Sequence, residues 1–192
     1  MSSARPRPSV RLRRASVDDL ALLVRHRHRM WSDIGNRSEA EVREHDQRYR
    51  RWARLRLRSG ELTGVVAETP DGFPVGSGLV WFRPDQPRPG VRALLSPYIL
   101  SMYTEPEWRG RGVASQIVRR LVAMSRRPGI ASVVLHASKF GRRLYRGLGF
   151  ERTWEMRFWL DPRIPKRRAL AEARSRARDR KGRTRKGLDR PG

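Results

Sequence analysis

The sequence predicts an α/β fold on a mixed sheet, and three observations carry that expectation. Strand-like alternation and helix-like spacing of apolar residues follow one another along the first 160 positions. An extended stretch, a glycine turn and a strongly amphipathic helix run consecutively between Ala93 and Val122. The apolar content then collapses. From Asp161 to Gly192 there are 13 Lys and Arg, 4 Asp and Glu, and no aromatic residue. Such a segment buries too little surface to offset its ordering entropy. The expected organisation is a flexible N-terminus over 1–9, one domain over 10–160, and a basic, disordered tail over 161–192.

The elements can be justified in order. Val10–Arg14 alternates apolar and basic residues, as a first strand does. Ser16 or Asp18 is placed to cap a helix whose inner face is Leu20, Leu23, Val24 and Trp31. Ser38 and Glu41 have capping-box spacing. Behind them Val42, His45, Tyr49, Trp52 and Leu55 form a stripe, with His45 expected to pack within it, and Gly60 provides the stop. Leu62–Glu68 and Val75–Phe82 read as strands joined by a turn at Thr69–Gly72. Arg83–Gly90 reads as a proline-rich loop and Ala93–Thr104 as a further extended stretch. Ala114, Ile117, Val118, Leu121 and Val122 mark one face of a helix that Pro128-Gly129 ends. A strand over Ser132–Ser138, a short helix over Gly141–Leu148 and one or two strands over Phe150–Leu160 close the domain.

Composition narrows the function. The 192 residues suffice for one core and a tail. With no cysteine, disulfides, thiolate zinc sites and cysteine nucleophiles are excluded, and no metal is expected. No apolar run approaches the roughly 20 residues of a membrane span. Met1–Arg14 lacks the apolar segment of a secretory signal, so a cytoplasmic location is expected. The net charge of +25, carried mostly by arginine, admits two readings: solvated surface, or an anionic partner such as nucleic acid engaged through 161–192. Trp81, Trp154 and Trp159 are equally open to core packing or to a homodimer edge.

One segment carries chemistry. Met102-Tyr103-Thr104 leads through Glu105–Trp108 into Arg109-Gly110-Arg111-Gly112-Val113-Ala114 and then the amphipathic helix. The glycines let backbone N–H groups approach an anion, and the helix start aims free N–H groups and its dipole at the same point. Arg109 and Arg111 add charge-assisted hydrogen bonds. The arrangement describes a pyrophosphate cradle. It lacks the Gly-Lys-Ser/Thr ending of a nucleotide-triphosphate loop and the full run of a dinucleotide fingerprint.

Arg-x-x-Gly-x-Ala at Arg109–Ala114, after a strand ending Met-Tyr-Thr, resembles the acetyl-CoA signature of the GCN5-related N-acetyltransferase (GNAT) superfamily. Leu135-His136-Ala137-Ser138 and Leu144-Tyr145-Arg146-Gly147-Leu148-Gly149-Phe150 resemble its next strand and short helix. The resemblance extends from about Val10 to Leu160 and is specific from Tyr98 to Phe150. It implies a sheet whose fourth and fifth strands splay apart around acetyl-CoA, with helices on both faces. Met102, Tyr103 and Thr104 would hold the pantetheine arm, one of their N–H groups polarising the thioester carbonyl. Arg109, Gly110, Arg111, Gly112, Val113, Ala114 and Ser115 would hold the pyrophosphate.

The resemblance also implies a reaction: a neutral amine attacks the thioester, and a tetrahedral oxyanion expels the thiolate. Tyr145 stands where relatives place the tyrosine that protonates that thiolate. A base is open between Glu105, acting through water, and His136, or there is none. Ser138 occupies a position where many relatives carry an asparagine that contacts the cofactor. Asp33 and Glu39, without an obvious helical partner, are expected to hold a cationic amine at the pocket mouth. Two competing readings are a nucleic-acid- or ribosome-associated protein anchored by its tail, and an acyl-CoA sensor without turnover.

Overall fold

The computed structural model describes residues 9–35, 37–87, 89 and 94–155. Two units are separated at residue 151, Met1–Glu151 and Arg152–Gly192. Most of the second lies outside the described residues, including the whole of the expected basic tail and Trp159.

Strand β1 (Arg11–Arg14) leads into a one-turn 3₁₀ helix at Val17–Asp19 and then α1 (Leu20–Ile34). Ser16 caps the turn, and Asp19 answers it through the backbone N–H of Ser16. A second capping box at Ser38 and Glu41 starts α2 (Glu39–Ser59), which Gly60 ends with φ +78°. Strands β2 (Leu62–Glu68), β3 (Pro74–Pro84) and β4 (Leu95–Thr104) follow, with the first turn closed by Gly72 N–H to the Thr69 carbonyl at 2.9 Å. Then come α3 (Val113–Ser125), a two-residue β5 (Val134–Leu135) and α4 (Arg142–Gly147).

The sheet runs β1-β2-β3-β4-β5, antiparallel except for the parallel pair β4–β5. Alternation along β2 feeds both faces. Leu62 and Val66 pack under α1 and α2 with Leu20, Leu23, Tyr49 and Ala53. Val65 and Ala67 pack under α3 with Val113, Ile117, Val118 and Leu121. The mixed sheet with helices on both faces is the expected fold class.

Several expectations need correction. His45 is exposed, its Nδ1–H donating to the Glu41 carbonyl at 2.8 Å, and Leu55 is exposed. The buried residues of α2 are Val42, Tyr49 and Ala53, and half-buried Asp46 joins their face because it has partners on α1. Asp46 therefore pairs across helices, with His28 and Arg27. Trp81 is half-buried against Trp52, which supports packing. Residues 132–133 and 136–138 are outside the strand, and 150–155 carry none.

β4 contains the irregularity that shapes the site. Ser77 faces Tyr103 and Leu79 faces Leu100, so Gly78 alone stands opposite Ser101 and Met102. Ser101 takes φ +52°, uncommon for a residue with a side chain. A Cβ on Gly78 would collide with the Met102 sulfur and come within 2.9 Å of Ile117 and 3.0 Å of Leu121. Glycine at 78 thus gives Met102 and α3 room over the bulge.

A polar chain crosses the same layer. His26 of α1 is fully buried, with Nδ1 2.9 Å from Ser77 Oγ. Burial first, and then the charges of Arg25 and Arg29, push its imidazole down to about 4. Glu105 stands 3.6 Å from its other nitrogen and by itself favours the charged ring. Arg29 already holds that carboxylate at 2.6 and 2.8 Å, so desolvation prevails. Two residues on, His28 meets Asp46 at 2.7 Å and Glu39 at 2.8 Å, and these hydrogen bonds push it up.

Two measurements test this packing. Gly78→Ala is expected to cost about 1–3 kcal/mol in urea unfolding, whereas Gly147→Ala, whose Cβ meets nothing within 4 Å, costs almost nothing. As pH falls from about 6.5, an unfolded His26 takes a proton that the native residue refuses until about 4. Stability therefore falls across that window, by roughly 3 kcal/mol from this residue. His28 has the opposite sign: its contribution is full in acid and is lost as pH rises through its raised native value. A His26→Gln variant followed by urea unfolding between pH 7 and 4 should show a flatter acid slope than the wild type.

Candidate active site

β4 and β5 share only the pairs Tyr98↔Val134 and Ile99↔Leu135. Beyond them β4 continues to Thr104 while the other chain turns away, and the gap widens into a cleft of about 700 Å³. Its β4 wall is Tyr98 to Thr104; the facing wall is His136, Ser138, Phe140 and Tyr145. Arg27, Met30, Trp31, Asp33 and Ile34 of α1, with Tyr49 and Trp52 of α2, enclose one end.

The glycine turn lies at the other end of β4. Gly110 and Gly112 take φ +73° and +84°, values that favour glycine, and a Cβ on either would meet nothing within 4 Å. The turn therefore needs glycine for its backbone conformation, not for space. Gly112 is the N-cap of α3 and offers no side-chain acceptor. The first helical bond runs from Gln116 N–H to the Gly112 carbonyl at 3.1 Å, so the amides of Val113, Ala114 and Ser115 precede the helical ladder. The Val113 side chain is buried in the core, which leaves only its backbone for a ligand. Arg109 hydrogen-bonds the Thr104 carbonyl at 3.0 Å and Asp33 at 2.5 Å, and it lines the cleft. Arg111 lies over the Trp108 ring. These groups fit a pyrophosphate.

Tyr145 lines the cleft, its ring edge-on to Phe150 at 5.7 Å and next to Gly141, where a Cβ would stand 2.7 Å from the ring. Burial, with Tyr98 second, pushes its phenol up to about 12, so the hydroxyl keeps its proton throughout the neutral range. His136 lines the cleft and shares a short hydrogen bond with Tyr98 across the splay. Ser138 lines it too, and its Oγ accepts the Gly141 N–H at the start of α4. Met102, Tyr103 and Thr104 all line the cleft, as a cofactor strand requires.

Glu105 is not among the lining residues. It is buried and saturated by Arg29 and by the Tyr103 hydroxyl at 3.1 Å. Asp33 does line the cleft, and its carboxylate is held by Arg109, 76 residues away. Glu39 is likewise taken, by His28 and Arg43, and does not line the cleft. Arg27, Tyr49, Tyr98 and the Ser101 bulge were missed. The only sequence signal for Arg27 and Tyr49 is their place on the inner faces of facing helices.

Among the described residues no group of three or more His, Asp or Glu is placed to hold a metal, and no helix is long and apolar enough to cross a membrane.

The family whose sequence pattern matches, over residues 20–150, is the acetyltransferase (GNAT) family. The chain is 33% identical over 109 residues to a glucosamine 6-phosphate N-acetyltransferase of Trypanosoma brucei brucei, covering 57% of this chain and 71% of that protein. A GCN5-related N-acetyltransferase from Ralstonia eutropha JMP134 is 30% identical with a TM-score of 0.73, covering 79% of this chain and 99% of that one. A predicted acetyltransferase with acetyl-CoA from Clostridium acetobutylicum is also 30% identical, with a TM-score of 0.70 over 80% and 95% of the two chains. With the splayed sheet and glycine turn in place, these matches establish that the chain belongs to the GNAT family and is an acyltransferase of that type.

Proposed function

We propose that the protein transfers the acetyl group of acetyl-CoA to an amine by direct attack. The observation that carries this is the cleft itself: a splay between β4 and β5 lined by Met102, Tyr103, Thr104 and Tyr145, with Arg109, the residue before the glycine turn, on its lining. The bulge takes Ser101 and Met102 out of regular pairing with β3, which suits backbone donors to a developing oxyanion. Arg109, fixed by Asp33 and the Thr104 carbonyl, and the amides of Val113 to Ser115 would bind the pyrophosphate.

Tyr145 would supply the hydrogen bond, and then the proton, that a departing thiolate needs. A phenol near 12 parts with its proton reluctantly to a thiolate whose conjugate thiol has a value of about 8.5, so its hydrogen bond to the sulfur matters before transfer is complete. Of the two candidate bases His136 is the better placed, because it lines the cleft while the Glu105 carboxylate is held by Arg29. Glu105 becomes a positioning residue for the end of β4. The trypanosomal relative's named substrate makes glucosamine 6-phosphate the first acceptor to assay.

Calorimetric titration with acetyl-CoA, using ADP as a control for the basic surface, tests the cradle. Micromolar binding that Gly112→Asp weakens at least tenfold, with ADP clearly weaker, is expected; equal, weak binding of both ligands by both proteins refutes it. Tyr145→Phe should lower kcat about 100-fold while acetyl-CoA affinity stays within about twofold, read by steady-state kinetics and calorimetry.

A further inference from the structure

The charges lining the cleft do not balance. Asp33 and Arg109 neutralise each other at 2.5 Å, and the other full charge on the lining is Arg27 of α1. Its guanidinium lies over the Tyr49 ring at 4.4 Å and near Trp31 at 5.9 Å, and only 19% of the side chain is exposed. Among the described residues it makes no hydrogen bond, and its Nη1 is buried without a partner. The nearest carboxylate, Asp46, gives one oxygen to His28 at 2.7 Å. Its other oxygen stands 3.9 Å from Arg27, beyond hydrogen-bonding distance, and is itself unpartnered.

Burial pushes the Arg27 guanidinium down from its ordinary value, yet an arginine stays charged. A desolvated cation with unused donors is costly unless something anionic completes it. Stacked on an aromatic ring, the fork is held in one plane, the arrangement that suits a carboxylate or a phosphate oxygen pair.

Position defines the ligand further. The ring that Arg27 covers ends in a hydroxyl 3.4 Å from Ser101 Oγ, at the bulge of β4. One tyrosine ring therefore separates the guanidinium from the strand segment where the acyl group would lie. Trp31 and Trp52 complete an apolar wall beside it.

Building on the proposed acetyl transfer, we infer that Arg27 selects the acceptor: a small amine that carries an oxyanion, carboxylate or phosphate, docks that group on Arg27 while its amine reaches the bulge. The preference is for anionic amines, the reverse of what the acids of α1 and α2 suggest from sequence.

Matched pairs of probes test this. Glucosamine 6-phosphate against glucosamine reads phosphate, and 4-aminobutyrate against its amide reads carboxylate. Calorimetric binding and acetylation rates are measured for the wild type, Arg27→Met and the charge-matched control Arg25→Met, an exposed residue outside the cleft lining. The expected result is that one or both anionic probes are preferred about 10- to 100-fold by wild type and Arg25→Met. Arg27→Met should lose that preference while binding acetyl-CoA normally. A wild type indifferent to the anion overturns the inference, and so does a preference that survives in Arg27→Met or is lost equally in Arg25→Met. Failure of the acetyl-transfer reading looks different: acetyl-CoA itself does not bind, while the probe pairs still report on Arg27.

Discussion

Everything in this molecule depends on β4 meeting two incompatible demands. It pairs with β3 along its length, which gives the sheet its rigidity, and it parts from β5 after two residues, which opens the cleft. The bulge at Ser101 and Met102 bends the strand between those two tasks. It is accommodated only because Gly78 presents no side chain where Met102, Ile117 and Leu121 crowd together. A single atom's absence on β3 thus supports both the seat of α3 and the shape of the site.

Arginine takes roles here that the overall charge conceals. Arg13 ties β1 to Glu68 and to Asp19 at the head of α1, each at 2.6 Å. Arg29 fixes Glu105, and Arg109 fixes Asp33 to the glycine turn. Arg56 lies over Trp52 and Trp81, and Arg127 covers Phe82 at 3.7 Å. A handful of arginines in a chain of +25 are therefore engaged within the fold, on aromatic faces and on the few acids available. Counting charge from composition overstates how much of it is displayed to partners.

Local features were legible in the sequence and distant pairings were not. The capping box at Ser38 and Glu41, the turn at Thr69–Gly72 and the buried face of α3 depend on neighbours within a few residues, so pattern reading finds them. The reading of α2 failed between His45 and Asp46, adjacent residues about 100° apart around the helix, because the decision belonged to His28 on another helix. β5 was drawn too long because residue alternation cannot tell where a strand's partner leaves it. The glycine turn and the start of α3 were legible from Arg109 to Ala114. The fates of Asp33 and Glu105 were not, since each is settled by an arginine 76 positions away. Arg27 was invisible for a related reason. In a sequence dense with arginine, nothing marks the one whose guanidinium is buried without a hydrogen bond.

The seam between β4 and β5 has a bearing on how the chain assembles and breathes. Strands β2, β3 and β4 follow one another with short connections and form an antiparallel meander, whereas β5 arrives only after α3 has crossed the sheet. Closing that longer loop comes with a larger entropic cost and a reward of two residue pairs. At two residue pairs the seam is the shortest ladder of the sheet. Few ladder bonds hold it, so amide hydrogens flanking it are expected to exchange faster than those of the β2–β3–β4 meander.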